Sequence, residues 1–469
     1  MDREELEQLS KQELIDLKLL QNKQIAELQK AFKKLNDNYE ALLMKFNNNQ
    51  KKPPTSSKNS SQPPSKDQKS NEPKGKSRHR HGPPKGHEKH EREQVAKPDK
   101  VIELRVKSCC KCCTDLMAEE SRLVKVNQIT ELPTAKAQVI EVRQYETTCS
   151  ECGEVQVETA PPGLEMERTF GARLEATVVY YRQEQHMSYQ RTQLALFNLQ
   201  GVEISQGGID GIMQRVGNKA IQAAEPITET VRQSKVIHSD ETGCRVKGNN
   251  WWEWVFCTAT AVLHVIRFNR SEDVIREVMD GHKAEVWESD CYSAQLKAPY
   301  HQLQLCMAHQ LRNLQSVVDT YPTQTWARAM QVLFRCAIHL QHQRDQLTTD
   351  QYEVQTARIE RHCDRLLKRV LDPPEAKRLQ RRFLKHRDKL FIFLYRRDVD
   401  PTNNVAERAL RPSVIHRKVT GCFRSDWGAK AYAAIASVFD TAELSGIQAF
   451  DAIQSLFGSP SLPIPILGE

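Results

Sequence analysis

From residue 233 the hydropathy pattern of the chain switches to strands. KVIHSDETGCRVKG, WWEWVFCTATA and VLHVIRF read as three successive strands, the last two nearly contiguous. A helix follows over SEDVIREVMDG, then a strand KAEVWESD, a short helix and a strand HQLQLCMA. A long helical stretch runs over roughly 307–397, and a helix-rich end starts near Thr402. The order β-β-β-α-β-α-β-α confines the chain to a mixed sheet with helices on both faces, the plan of a ribonuclease H-like fold. On the second strand Trp252 and Trp254 share one face and Trp251 takes the other, which suits core packing.

The rest of the chain is not built this way. Over residues 11–46 there is no Gly or Pro, and Leu14, Gln21, Ile25, Leu28, Phe32, Leu35, Tyr39, Leu42 and Phe46 form a heptad seam, which predicts a coiled coil over 1–46. Residues 47–100 are Pro, Ser, Lys, Gln and His, a composition that cannot offset chain entropy by burial, so they read as a disordered linker. The net charge of the chain is +8, and residues 51–100 alone hold 14 Lys and Arg against 6 Asp and Glu. The basic excess sits in the linker and points to a polyanion such as nucleic acid. His79, His81, His87 and His90 are read as part of that solvated tract.

No run of about 18 apolar residues is present, which excludes a helical membrane span. The N-terminus lacks an apolar secretory segment, so the expectation is a soluble, intracellular protein.

Thirteen cysteines in such a chain argue against a disulfide framework. Cys109-x-x-Cys112 and Cys149-x-x-Cys152 frame a unit over 101–160, with LVKVNQITELPTAKAQVIEVRQYE between them as an expected hairpin. Two such pairs can complete a tetrahedral thiolate site, which predicts structural zinc. Cys110-x-x-Cys113 would serve as well as the first pair. Residues 161–232 read as helical. Within them SYQRTQLALFNLQGVEISQGGIDGIMQRV has a helix, a turn at Gly201 and a second helix opened by Ser205, the punctuation of a helix-turn-helix.

Three acids stand at telling places on the strand order. Asp240 ends the first strand, Asp290 ends the fourth, and Glu407 lies on a late helix. At one sheet edge such carboxylates repel and need divalent cations to stay ionised together. Two Mg²⁺ (or Mn²⁺) ions would suit in-line phosphoryl transfer. Asn403 and Arg411 share a helix face with Glu407, and Arg408, Arg417 and Lys418 follow. These cations, with Asn403 and Asn404, are candidate phosphate-binding or supporting residues. Cys306-x-x-His309 ends the fifth strand; as a metal site it would need two further ligands, and none is suitably spaced nearby. A packing and hydrogen-bonding role near the carboxylates is expected for it.

The motifs HSDETG, WWEW, SDCYSAQ, CMAHQLRN and NNVAERALRPSVIHRKVTGCFRSDWGAKAYAAIASVFDTAELSG resemble the insertion sequence 66 family of bacterial DDE-class transposases. The resemblance covers nearly all of the chain from about residue 101. It implies Asp240, Asp290 and Glu407 as the catalytic triad. It also implies a transposase that binds its element's ends, cuts strands and joins 3′-OH ends to target DNA. Companion proteins of the same element are implied, with a bacterial cytoplasmic, nucleoid-associated location. The cysteine unit and the following helices look like the family's zinc-binding and helix-turn-helix region. Two departures stand out. Cys113 replaces the Gly expected after the second Cys, favouring Cys109 and Cys112 as ligands. Thr402 stands where the family often has Asp, at the expected helix cap.

The expected organisation is therefore multidomain α/β. It runs as a coiled coil (1–46), a linker (47–100), a zinc unit (101–160), helix-turn-helix-like helices (161–232) and a ribonuclease H-like core (233–321 and 396–445). The core is interrupted by a helical insertion (322–395) and followed by a tail (446–469). The leading functional expectation is a DNA transposase working as a homo-oligomer through its N-terminal helix. The alternative is a non-catalytic DNA-binding regulator derived from one.

Overall fold

The computed structural model describes residues 18, 22, 25–35, 38–39, 55–60, 93–118, 120–132, 136–160, 166 and 168–457. They divide into two compact units, one of residues 1–68, 144–189 and 207–469, the other of residues 69–143 and 190–206.

In the larger unit a two-stranded ribbon, β1 (Glu146–Thr148) and β2 (Val155–Val157), is followed by α1 (Ala172–Val179). Helix α2 (Tyr189–Gln200), which ends at Gly201 with φ of 68°, belongs with the smaller unit; in the larger unit α3 (Gln206–Gln233) leads into the sheet. The five strands are β3 (Val236–Val246), β4 (Asn249–Cys257), β5 (Val262–Arg267), β6 (Ala284–Ser289) and β7 (Tyr300–Leu305), with α4 (Glu272–Met279) between β5 and β6. Their order is β5-β4-β3-β6-β7; β3, β4 and β5 are antiparallel, while β6 runs parallel to β3 and β7. This is the mixed sheet that the strand pattern predicts.

Burial explains why each segment takes its place. The last five residues of β4, Glu253–Cys257, are all buried, as a central strand requires. Helix α4 turns Val274, Ile275, Val278 and Met279 inward and its charged residues outward. Helices α5 (Met307–Thr320), α6 (Thr325–His342), α7 (Thr349–Leu367), α8 (Pro374–Lys385) and α9 (Ile392–Tyr395) follow β7. They share an aromatic core in which Phe334 meets Phe383 and Phe391 edge-on. The chain then returns to the sheet as α10 (Asn404–Thr420) and α11 (Asp426–Leu444).

Helix α11 covers the sheet edge. Ser437 Oγ accepts the His264 N–H at 2.8 Å and Thr441 Oγ1 accepts that of Val262 at 3.0 Å, so these two outward N–H groups of β5 are bonded. A Cβ on Gly217 would come within 2.8 Å of Ala431 Cβ, so the glycine is what allows α3 to lie this close to α11. Of the three tryptophans, Trp254 is fully buried, while Trp251 packs edge-on against Phe268 at the margin.

Three expectations need correction. The tail begins with a helix, α12 (Ala449–Ser455), whose Ala452 and Ile453 are fully buried. The cap of α10 is Asn403, not Thr402, and it makes no side-chain capping bond. The hairpin expected between the cysteine pairs is missing among the described residues: strands occur instead at β1 and β2, around the second pair. The physical reason is exposure. Leu123, Val124, Ile129 and Val139 have nothing to bury against, and an isolated hairpin is marginal in water.

In the smaller unit Gln128 bonds both backbone groups of Val95 at 2.8 Å. Residues 25–35, which belong to the larger unit, are helical, with Ile25, Leu28, Phe32 and Leu35 all exposed. Leu14, Gln21, Leu42 and Phe46 of the seam, the linker histidines and residues 458–469 lie outside the described residues.

Candidate active site

The register of the parallel strands builds the site. His238 of β3 pairs with Glu288 of β6. Asp240 and Asp290 each come two residues later, so both stand at one level and on one side of neighbouring parallel strands. Asp290 follows the end of β6 as expected, but Asp240 does not end its strand: β3 runs on to Val246, held by its antiparallel pairing with β4. Asp240 Oδ1 accepts the Glu241 N–H at 2.9 Å, and Asp290 Oδ1 accepts the Tyr292 N–H at 2.8 Å. The third acid arrives on α10. Ala406 and Leu410 of that helix pack on Val255, Cys257 and Val262, which turns Glu407 toward the same edge.

Electrostatics show that the three acids share one field. Burial pushes the Asp240 carboxyl well above the usual carboxylate range, and Glu241, Asp290 and Glu407 each push it further. No described cation pairs with Asp240 or Asp290. This donor set of hard oxygens, crowded and short of positive charge, fits a divalent cation such as Mg²⁺.

Glu407 is held from α5. Arg312 donates to its Oε1 at 3.1 Å, and His309 Nδ1 lies 3.7 Å from the same oxygen. Burial, with Arg312 beside it, holds the His309 imidazole below its ordinary value. Arg411, one turn on from Glu407, is exposed and makes no described ion pair with it. Arg408, Lys418 and Asn404 are exposed as well, lying on the same helix as Glu407.

Asn403 is different in kind. It is fully buried, its Nδ2 donates to the Ser239 carbonyl at 2.8 Å, and its N–H donates to Cys306 Sγ at 3.2 Å. It therefore fixes the start of α10 against β3 and α5 and has no surface to offer DNA. Arg417 reaches back to Thr242 Oγ1 at 3.2 Å and to the Gly243 carbonyl, so it too anchors α10 to β3.

The structure adds residues that the sequence reading passed over. Glu241, buried beside Asp240, accepts from Arg270 at 2.6 and 2.9 Å and from Gln295 at 2.7 Å. Arg270 lies over the rings of Trp252 and Tyr292, 4.4 and 3.9 Å from their centroids. Glu241, Gln295 and Arg312 all sit inside the motifs HSDETG, SDCYSAQ and CMAHQLRN, so the signal was present without a role attached.

Cys306, His309 and Glu407 bring a sulfur, a ring nitrogen and a carboxylate oxygen within 4.8 Å of one another, the one such group among the described residues. The sequence spacing supplied no third ligand for Cys306 and His309; the packing of α10 supplies it.

The two cysteine pairs make matching turns, each described in its own unit. Cys113 N–H bonds the Cys109 carbonyl and Cys109 N–H the Thr114 carbonyl, both at 2.9 Å. Gly153 and Cys149 repeat this with Cys149 and Glu154 at 2.9 and 2.8 Å. Cys113 and Gly153 both take positive φ, 59° and 73°. Cys113 thus takes the place in the first turn that Gly153 takes in the second. The Thr114 hydroxyl and backbone bring the Cys112 thiol down to about 7, and the Cys152 and Glu151 backbone groups lower that of Cys149.

The sequence profile described as Transposase IS66 family matches residues 167–431, more than half of the chain. The chain belongs to the IS66 transposase family. The matched span holds Asp240, Asp290 and Glu407 with the whole sheet, and the mixed α/β core fits a DDE transposase core. IS66 membership supports a transposase role, with DNA binding and a divalent metal as the general requirements of the class. No curated protein matches the chain. Among the described residues no helix is long and apolar enough to cross a membrane.

Proposed function

We propose that this IS66-family chain is a metal-dependent DNA transposase, which binds the ends of its element, cuts strands there and joins the 3′-OH ends to target DNA. The observation that carries this reading is the placing of Asp240 and Asp290 at one level of β3 and β6, with Glu407 delivered beside them by α10. Asp240, Asp290 and Glu407 would hold the divalent cations. When bound, these ions activate the attacking oxygen and stabilise the leaving one.

The chain's own residues do the positioning. Asn403 and Arg417 fix α10 to β3, so Glu407 keeps its place. Glu241, paired with Arg270 and hydrogen-bonded by Gln295, backs Asp240 without competing for a cation. Exposed Arg408, Arg411 and Lys418 offer charge to DNA phosphates next to the acids, and Asn404 adds a neutral donor.

Remote segments complete the reading. The exposed seam of Ile25, Leu28, Phe32 and Leu35 suits pairing with a second copy, as the joining of two DNA ends requires. The basic linker adds salt-sensitive, sequence-independent affinity. Each cysteine pair, with its thiols lowered and its turn closed, offers two ligands to structural zinc. The helix-turn-helix region would read the element's ends, with companion proteins of the element assisting in the bacterial cytoplasm.

Strand cleavage and joining test this. Purified protein is given labelled DNA carrying the element's flanking repeats, with Mg²⁺ or Mn²⁺, beside Asp290→Asn. The expected result is metal-dependent cleaved and joined product, lost in the variant. Specific binding by the wild type without cleavage, unchanged when the element's companion proteins are added, would instead favour the non-catalytic regulator.

A further inference from the structure

Cys306 precedes α5, His309 lies in that helix's first turn, and Glu407 reaches them from α10. Ligand atoms of one tetrahedral ion, at bond lengths of about 2.0–2.3 Å, stand about 3.5 Å apart. The three donors here, all within 4.8 Å of one another, already approach that spread.

Two further observations point to a ligand among them. His309 Nδ1 is buried with no hydrogen-bond partner, a costly state for an imidazole nitrogen unless something else takes its lone pair or proton. Cys306 Sγ already accepts the Asn403 N–H at 3.2 Å, the outer hydrogen bond that orients a metal-bound thiolate. Sulfur and imidazole are the donors of thiophilic ions, and Mg²⁺ avoids both.

We propose that Cys306, His309 and Glu407 form a site for a thiophilic divalent cation of the zinc class, chemically separate from the hard-oxygen site of Asp240 and Asp290. The two sites share Glu407. An ion on the sulfur side therefore engages the carboxylate that the oxygen side needs, and the two classes of ion compete. On binding, the Cys306 thiol gives its proton to solvent, and the sulfur–metal bond replaces the S–H bond with no change of oxidation state. The proposal does not rest on the DNA chemistry above.

Cobalt(II) is the probe, since bonding to a thiolate produces a near-ultraviolet charge-transfer band. Metal-free full-length protein is titrated with Co²⁺ beside Cys306→Ser, His309→Gln and Glu407→Gln, with circular dichroism as the folding control. The expected result is one equivalent fewer in Cys306→Ser and His309→Gln, with part of the charge-transfer intensity lost in Cys306→Ser; Glu407→Gln, which belongs to both sites, should lose at least as much. The intensity that remains belongs to Cys109, Cys112, Cys149 and Cys152. Equal stoichiometry and equal spectra in the wild type and the folded variants would overturn the proposal. If Cys306→Ser does not fold, the partly exposed His309 decides by the same count.

Discussion

Arg312 donates to Glu407 Oε1 across 3.1 Å, so the acid on α10 meets a cation from α5 before any metal arrives. Both side chains are about a quarter exposed, and a pair of this kind is worth about 1 kcal/mol. A divalent cation recruiting Glu407 must compete with the guanidinium and work against its charge. Arg312→Gln is expected to tighten Mn²⁺ binding to DNA-free protein by about five-fold, read from the electron spin resonance of free Mn²⁺. Unchanged affinity would mean that the pair does not guard the acid.

A second expectation concerns pH. His264 is buried between Glu253 at 3.1 Å and Asp440 at 3.0 Å, and bonds to the two carboxylates carry its imidazole up to about 9 against the cost of burial. A histidine raised in this way stabilises the fold in full below its unfolded value of about 6.5, and that contribution is lost as pH rises through about 9. The stake is about 3 kcal/mol. Melting temperature should fall from pH 7 to pH 10. His264→Gln should melt lower at pH 7 and show a flatter profile over that range. Parallel profiles would remove His264 as the cause.

How much of this was legible beforehand depended on distance along the chain. Strand order could be read because β3, β4 and β6 carry strand patterns in the residues themselves, and the place of Asp290 at a strand end followed, while Asp240 proved to lie within β3. Their common level could not be read, because register between β3 and β6 is a long-range fact. Glu407 was marked by its motif, but the cation that holds it, Arg312, lies on another helix far back in the sequence and could not be paired with it beforehand. Alternation also misled. LVKVNQITEL has the pattern of a strand but no covering layer, so Leu123 and Val124 stay exposed and no strand forms among the described residues there. The turn of α12 was hidden by its shortness and by the Gly446 and Pro residues around it.

Close helix packing gives a third test. Gly217 on α3 faces Ala431 and Trp427 on α11, with 2.8 Å between its ideal Cβ position and Ala431 Cβ. The contact also carries the bond from Trp427 Nε1 to Asn218 Oδ1 at 2.9 Å. Alanine has the better helix propensity, so propensity alone predicts that Gly217→Ala stabilises. Steric overlap should win, because backbone-borne atoms on both helices cannot move aside cheaply. A loss of about 1–3 kcal/mol in denaturant unfolding is expected. A gain in stability would show that the helices can separate without cost.

The last prediction concerns the arginine behind the acids. Arg270 neutralises buried Glu241 and lies over the rings of Trp252 and Tyr292. Arg270→Ala removes the counter-charge and leaves a carboxylate buried beside Asp240 and Asp290, the costly half of breaking an ion pair. Because Arg270 is one-third exposed, solvent offsets part of that cost, and a loss of about 2 kcal/mol is expected. Glu241→Gln removes the charge instead and keeps a polar group for Arg270 and Gln295 to bond, so it should cost less. In the double variant the glutamine no longer needs the arginine, and the two losses should fall short of their sum by about 1 kcal/mol. Additive losses would mean that Arg270 acts through its stacking on Trp252 and Tyr292, and that Glu241 is charge-balanced by something else.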